Sequence, residues 1–150
     1  MSTTTKSTDV IATMGEWFDK FPALPKSWRD TLARIAPILS LIFGILGIIV
    51  AISGLGLLTA TSPLAFMGGA QTVSSYGTGI IATIIYLVGS ILLLAAYPGL
   101  KARKHKGWTL LFWSEVANLV GGVVSLAILS AIVGALIGFY LIFQIRSYYK

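Results

Sequence analysis

Thr109–Ile145, TLLFWSEVANLVGGVVSLAILSAIVGALIGFYLIFQI, runs for 37 residues with one charged side chain, Glu115. The fold turns on whether this run is one helix or two. A single straight helix would reach about 55 Å at 1.5 Å per residue, whereas the hydrocarbon core of a bilayer is about 30 Å thick. Two short spans in a tight hairpin fit better, placed near Thr109–Leu126 and Ser130–Ser147. No Pro, Asn or Asp marks the turn, so length alone places it. A break at Gly121–Gly122 is the alternative. It would leave the third segment too short to cross and make it re-entrant.

Working toward the N-terminus, the basic run KARKHK at 101–106 precedes this hairpin. Before it, Ile80–Tyr97, IIATIIYLVGSILLLAAY, reads as the second span, closed by Pro98–Gly99. Pro37–Leu58, PILSLIFGILGIIVAISGLGLL, reads as the first, with 22 uncharged residues. Proline is tolerated in a first turn, where its missing N–H has no helical partner anyway. Thr59–Gly79 lies between these two spans. It is uncharged and rich in Gly, Ser and Thr, and reads as a loop with room for a short helix near Pro63.

The N-terminal residues 1–8, MSTTTKST, read as a disordered tail. From Asp9, a reasonable N-cap, residues Val10, Ile11, Met14, Trp17, Phe18 and Phe21 share one helical face. Pro22 and Pro25 end that helix. A second short amphipathic helix is expected from Ser27, with Trp28, Leu32 and Ile35 on one side. Both suit a membrane interface. The first carries net negative charge, so anionic lipid would hold it poorly, and a protein surface would serve its apolar stripe equally well.

Composition agrees with this pattern. The chain has 150 residues, room for one domain, of which 56% are hydrophobic and 11% charged, with a mean hydropathy of +0.88. Soluble domains carry about 25% charged residues. The expected class is an all-α integral membrane protein: four transmembrane helices over 37–147, after an amphipathic interfacial N-terminal segment, 1–36. That segment is too long for the n-region of a signal peptide, so the first span should remain as an anchor.

The net charge is +6. All 11 Lys and Arg fall before Pro37, between Lys101 and Lys106, or at Arg146 and Lys150. Positive residues stay on the cytoplasmic side. A multi-pass protein of the cell membrane with both termini cytoplasmic satisfies every loop. Trp28, Tyr97, Trp108, Trp113, Tyr148 and Tyr149 would then form the inner aromatic belt, with Phe66 and Tyr76 outside. This placement also argues against a nucleic-acid partner. Lys101, Arg103, Lys104 and Lys106 are candidates for anionic lipid headgroups, at about 1 kcal/mol per charge near the surface.

Catalytic material is thin. The absence of Cys rules out disulfides and thiolate sites, and a single His, His105, rules out a multi-His metal or haem site within one chain. No nucleophile–base pair and no dinucleotide or phosphate-loop fingerprint is present. Neither an enzymatic activity nor a cofactor is expected.

Two features remain. Small residues recur at helical spacing: Gly44, Gly47, Ala51 and Gly54 in the first span, and Gly134 and Gly138 in the fourth. They let helices approach closely, either within the protein or across an oligomer seam. Glu115 is the other feature, an ionisable group inside a span and so a functional candidate by default. Asn118 shares its face, and Gln144 and Arg146 reach the same expected level from the fourth span. Glu115 is expected to be either a proton- or cation-binding carboxylate or a structural clamp bonded to those neighbours.

The leading expectation is an interaction or scaffold component, in a homo-oligomer or with a membrane-protein partner. The alternative is a small oligomeric transporter or channel that uses Glu115.

Overall fold

The computed structural model describes residues 2–150. Helix α1 covers Ser2–Phe18, α2 Lys26–Met67, α3 Ala70–Lys101, α4 His105–Val124 and α5 Ile128–Gln144, followed by a 3-10 turn at Arg146–Tyr148. The described residues contain no strand. Three stretches are long and apolar enough to cross a membrane: α2, α3 and Ile128–Tyr148. The chain is all-helical and has the make-up of a membrane protein.

α2 corrects the expected boundaries. The short helix at Ser27 and the span at Pro37 are one helix of 42 residues with Pro37 and Pro63 inside it, about 63 Å long. Each proline removes an N–H and so frees the carbonyl four residues earlier. Ala33 is the residue freed by Pro37, and its carbonyl accepts the Tyr149 hydroxyl at 3.2 Å. Thr59 is the one freed by Pro63, and its carbonyl accepts the Ser62 hydroxyl at 2.8 Å. With both gaps filled, neither proline ends the helix.

The expected loop at 59–79 is also helical, apart from the turn at Gly68–Gly69, where Gly69 takes φ +82°. Its hydroxyls bond back to their own helices, as in Thr61 to Leu57 O (2.8 Å), Thr72 to Gly68 O (3.0 Å) and Ser75 to Gln71 O (3.0 Å). Polar side chains that satisfy themselves this way do not need to break the helix. Tyr76 donates across the hairpin to Thr61 Oγ1 at 3.1 Å. The N-terminal tail differs too: α1 begins at Ser2, so Asp9 is an interior residue rather than a cap, and its carbonyl accepts from Thr13.

α3 lies between α2 and α4, and α4 packs on α5. At the start of α4 the backbones nearly touch: a β-carbon at Gly99 would lie 2.6 Å from the Gly107 Cα. The turn to α5 falls at 125–127, about two residues earlier than the 127–129 expected from length. Leu126 there takes φ +61°, and Ala127 N donates to Gly122 O at 3.0 Å. Gly121 and Gly122 stay inside α4, against the Tyr86 ring and Ala131.

α2 and α5 share no comparable packing. The helices therefore form an arc, α2–α3–α4–α5, open between its ends. Hydrogen bonds tie its ends together at the end bearing the Lys101–Lys106 turn. There Tyr148 donates to the Asp30 carboxylate and Tyr149 to Ala33, both on α2. Tyr140 donates to Pro22 O at 2.7 Å, and Leu24 N donates to Gln144 Oε1 at 3.1 Å.

The core gathers at this basic end around Trp108, Phe112, Phe139, Leu100 and Ile142, and Phe18 of α1 stacks on Phe143 at 5.3 Å. Trp108 was expected in an aromatic belt. It is 0% exposed, and its indole N–H donates to Ile142 O at 2.9 Å. Tyr149 is buried as well, while Trp28 is 65% exposed. Away from the core the outward faces are apolar: Ile38, Ile49, Ile52, Ile81, Ile84 and Val88 are all exposed. So large an apolar surface suits a protein whose solvent is lipid.

Candidate functional site

The concave side of the arc holds a cleft of about 660 Å³, within the 300–1,000 Å³ usual for small-molecule sites. Helical periodicity sets its walls. Leu111, Glu115 and Asn118 of α4 fall at i, i+4 and i+7, and Gly138 and Leu141 of α5 and Ile145 at its C-cap at i, i+3 and i+7. Ser40, Gly47 and Gly54 of α2 follow one another at seven-residue intervals, and Thr83, Tyr86 and Ser90 of α3 at three and four.

Glu115 is the only charged residue lining the cleft. Its carboxyl group rests on α5 at Gly138. A β-carbon there would overlap Oε1 and lie 2.6 Å from Cδ and 3.1 Å from Oε2. Gly138 was expected to bring two helices together. In the structure its missing side chain makes room for the carboxylate. Among the described residues Glu115 forms no ion pair and no hydrogen bond.

The serine and threonine hydroxyls around the cleft point the same way chemically, while the Tyr86 hydroxyl and the Asn118 amide keep donors of their own. Ser40 donates to Pro37 O at 2.8 Å, Ser90 to Tyr86 O at 2.9 Å and Thr83 to Gly79 O at 2.7 Å. Each proton is committed to its own helix, so what remains for a ligand is lone pairs. Together with the carboxylate they form a wall rich in acceptors, suited to a cation or a hydrogen-bond donor. A multidentate metal site is a poorer match, since no group of three His or carboxylate ligands occurs among the described residues.

The four residues expected to form one polar site are divided in two. Glu115 and Asn118 line this cleft, with Asn118 Oδ1 3.1 Å from the point a β-carbon at Gly89 would occupy. Gln144 and Arg146 line a separate hollow at the basic end. Gln144 is occupied by Leu24 N, and the Arg146 guanidinium lies 5.3 Å over the Trp108 ring. None of the expected clamps on Glu115 is formed.

Of the small residues, a β-carbon at Gly44 would lie 3.0 Å from Leu94, one at Gly47 would overlap Ser90, and one at Gly54 would lie 3.7 Å from Thr83. Ala51 is buried beside them. Gly134 differs, because a β-carbon there would meet nothing within 4 Å. Ser90, Tyr86 and Gly89 did not stand out from sequence. The spacing of Thr83, Tyr86 and Ser90 on one face of α3 was the signal available.

The candidate headgroup residues are all exposed. Lys101 lies 6.0 Å over Tyr97, and Arg103, at φ +55°, lies over Tyr148 and Tyr149 at 5.9 and 5.8 Å. Arg103 is thereby committed to the chain's own tyrosines. Burial pushes the Tyr149 phenol above its ordinary pKa, with the Arg103 charge opposing.

The chain matches no known protein family, and no curated protein or solved structure is similar to it.

Proposed function

We propose that this chain is a small four-span protein of the cell membrane that binds a cation or proton at Glu115 and serves as a carrier or channel subunit for it. One observation carries the reading: a carboxylate in an open cleft of about 660 Å³, seated on Gly138, with no ion pair or hydrogen bond among the described residues. A structural clamp would be bonded to its neighbours, because an unsatisfied polar group in a low-dielectric setting destabilises the fold.

α4 is the third span in this reading. It has 20 residues, about 30 Å and enough to cross. It is less apolar than the other spans because Ser114, Glu115 and Asn118 face helices rather than lipid. In this reading the Lys101–Lys106 turn and both termini face the cytoplasm, which the position of the basic residues supports. The hairpin tip around Gly68–Gly69 and the turn at 125–127 then face outward. α1 lies against α5 through Phe18, which meets Phe139 and Phe143, and the connection after α1 is held by the Tyr140–Pro22 and Gln144–Leu24 bonds.

The interaction-component reading keeps one observation in its favour. Gly134 faces open space on α5, where a second protomer or a partner helix would fit. The two readings separate in proteoliposomes. A carrier or channel loses proton or cation flux in Glu115→Gln and keeps it in Gly134→Leu. An interaction component shows no flux in any form and loses its assembly in Gly134→Leu.

A further inference from the structure

The hollow that takes Gln144 and Arg146 has a chemistry of its own, independent of Glu115. It measures about 590 Å³ and lies between the α1–α2 connection and the end of the chain. Three cationic side chains line it, Arg29, Arg146 and Lys150, against one acidic side chain, Asp19. The imidazole of His105 completes the polar wall. Phe18, Phe21, Phe143 and Tyr149 supply the rest of the surface.

The guanidiniums are not used up within the fold. Arg29 Nε is buried with no hydrogen-bond partner. Arg146 lies against the Trp108 and Phe143 rings at 5.3 and 6.0 Å, contacts that fix the plane of the group. Neither pairs with a carboxylate among the described residues. A buried N–H without a partner is destabilising, so a group that accepts from it is favoured. Two arginine forks and a lysine beside one carboxylate favour an oxyanion, and phosphate geometry suits the guanidinium fork.

We propose that this hollow is a binding site for a phosphate-bearing group. Its volume exceeds that of a bare phosphate, and its aromatic wall offers an apolar surface to whatever carries the phosphate. A glycerophospholipid headgroup and free phosphate share this chemistry. The exposed Lys101–Lys106 turn attracts anionic lipid diffusely, whereas this hollow holds one group by position.

The test is thermal unfolding of the full chain in nanodiscs of phosphatidylcholine, with and without phosphatidylglycerol, and in phosphatidylcholine with added inorganic phosphate. Native protein should gain several degrees from at least one of these additions. A gain from phosphatidylglycerol alone identifies a headgroup site, and a gain from inorganic phosphate identifies a free-phosphate site. Arg29→Gln should lose most of the gain, and Arg29→Lys should recover only part of it. Lys101→Gln with Lys104→Gln, an equal or larger loss of charge, should keep it. Arg29→Gln removes an unpartnered donor and leaves the Trp108 contacts intact. An unchanged unfolding temperature without anion verifies that its fold is kept. The proposal is overturned if neither addition stabilises native protein, if Arg29→Gln retains the full gain, or if the two lysine substitutions abolish it equally.

Discussion

The carboxyl group of Glu115 occupies the place where Gly138, on the neighbouring helix, would carry a β-carbon. The acid and the glycine are therefore one structural unit, although 23 positions separate them in the chain.

Gly138→Ala is expected to swing the flexible carboxylate out of its seat and destabilise the protein by about 1 kcal/mol, the low end of the range for overpacking. Because the clash is with Glu115 alone, Glu115→Ala in the same chain should remove most of that cost. Thermal unfolding of the two single variants and the double variant measures this coupling. Additive losses would show that Gly138 packs against something else.

The continuity of α2 across Pro37 rests on the Tyr149 hydroxyl that serves Ala33. Tyr149→Phe should cost about 1 kcal/mol, the net value of such a bond, or more where the carbonyl is left buried. Pro37→Ala restores the missing N–H, so the same Tyr149→Phe change should cost much less in that background. A denaturation cycle over the four proteins decides it. Equal costs in both backgrounds would separate Tyr149 from the proline gap.

Gly107 meets the backbone of Gly99 and Leu100 with no room for a side chain. Gly107→Leu should cost upwards of about 3 kcal/mol, since it pits a side chain against main chain that cannot swing away. Gly134→Leu, facing open space, should leave unfolding within about 0.5 kcal/mol of native. Similar losses at both sites would contradict the α3–α4 packing described here.

The chain has no cysteine, so a single introduced thiol reports its side of the membrane without background. Thr72→Cys, in the first turn of α3, and Leu126→Cys should react with an impermeant maleimide added outside intact cells. Lys104→Cys should react only after lysis. Labelling of Leu126→Cys from inside alone would remove α4 and α5 as separate spans.

Much of the fold was legible because charge is so sparsely placed. The apolar runs, the need for a break in the last of them and the basic loop follow from length and from where Lys and Arg sit, although the break falls about two residues earlier than length alone placed it. The continuity of α2 was not. The acceptor freed by Pro37 is served from 116 residues away, and local spacing carries no trace of that bond. The 59–79 stretch reads as a loop by composition, yet its hydroxyls satisfy themselves along the helix. Trp108 lies at the edge of an apolar run, where a belt residue and a core residue look alike. In the site, Glu115 and Asn118 were legible as one helical face. Gln144 and Arg146 were assigned to the same level by depth alone. The helix ends at Gln144, and the chain beyond it turns toward α2 and the N-terminal segment.

The most direct measurement is equilibrium binding of tetraphenylphosphonium, a lipophilic cation, to the purified protein across a range of pH. The cleft should take it up saturably, binding should weaken as acid protonates Glu115, and Glu115→Gln should abolish it while keeping the native unfolding profile. Binding that is equal in native protein and Glu115→Gln, or that ignores pH in both, would contradict the assignment of Glu115 as a cation site.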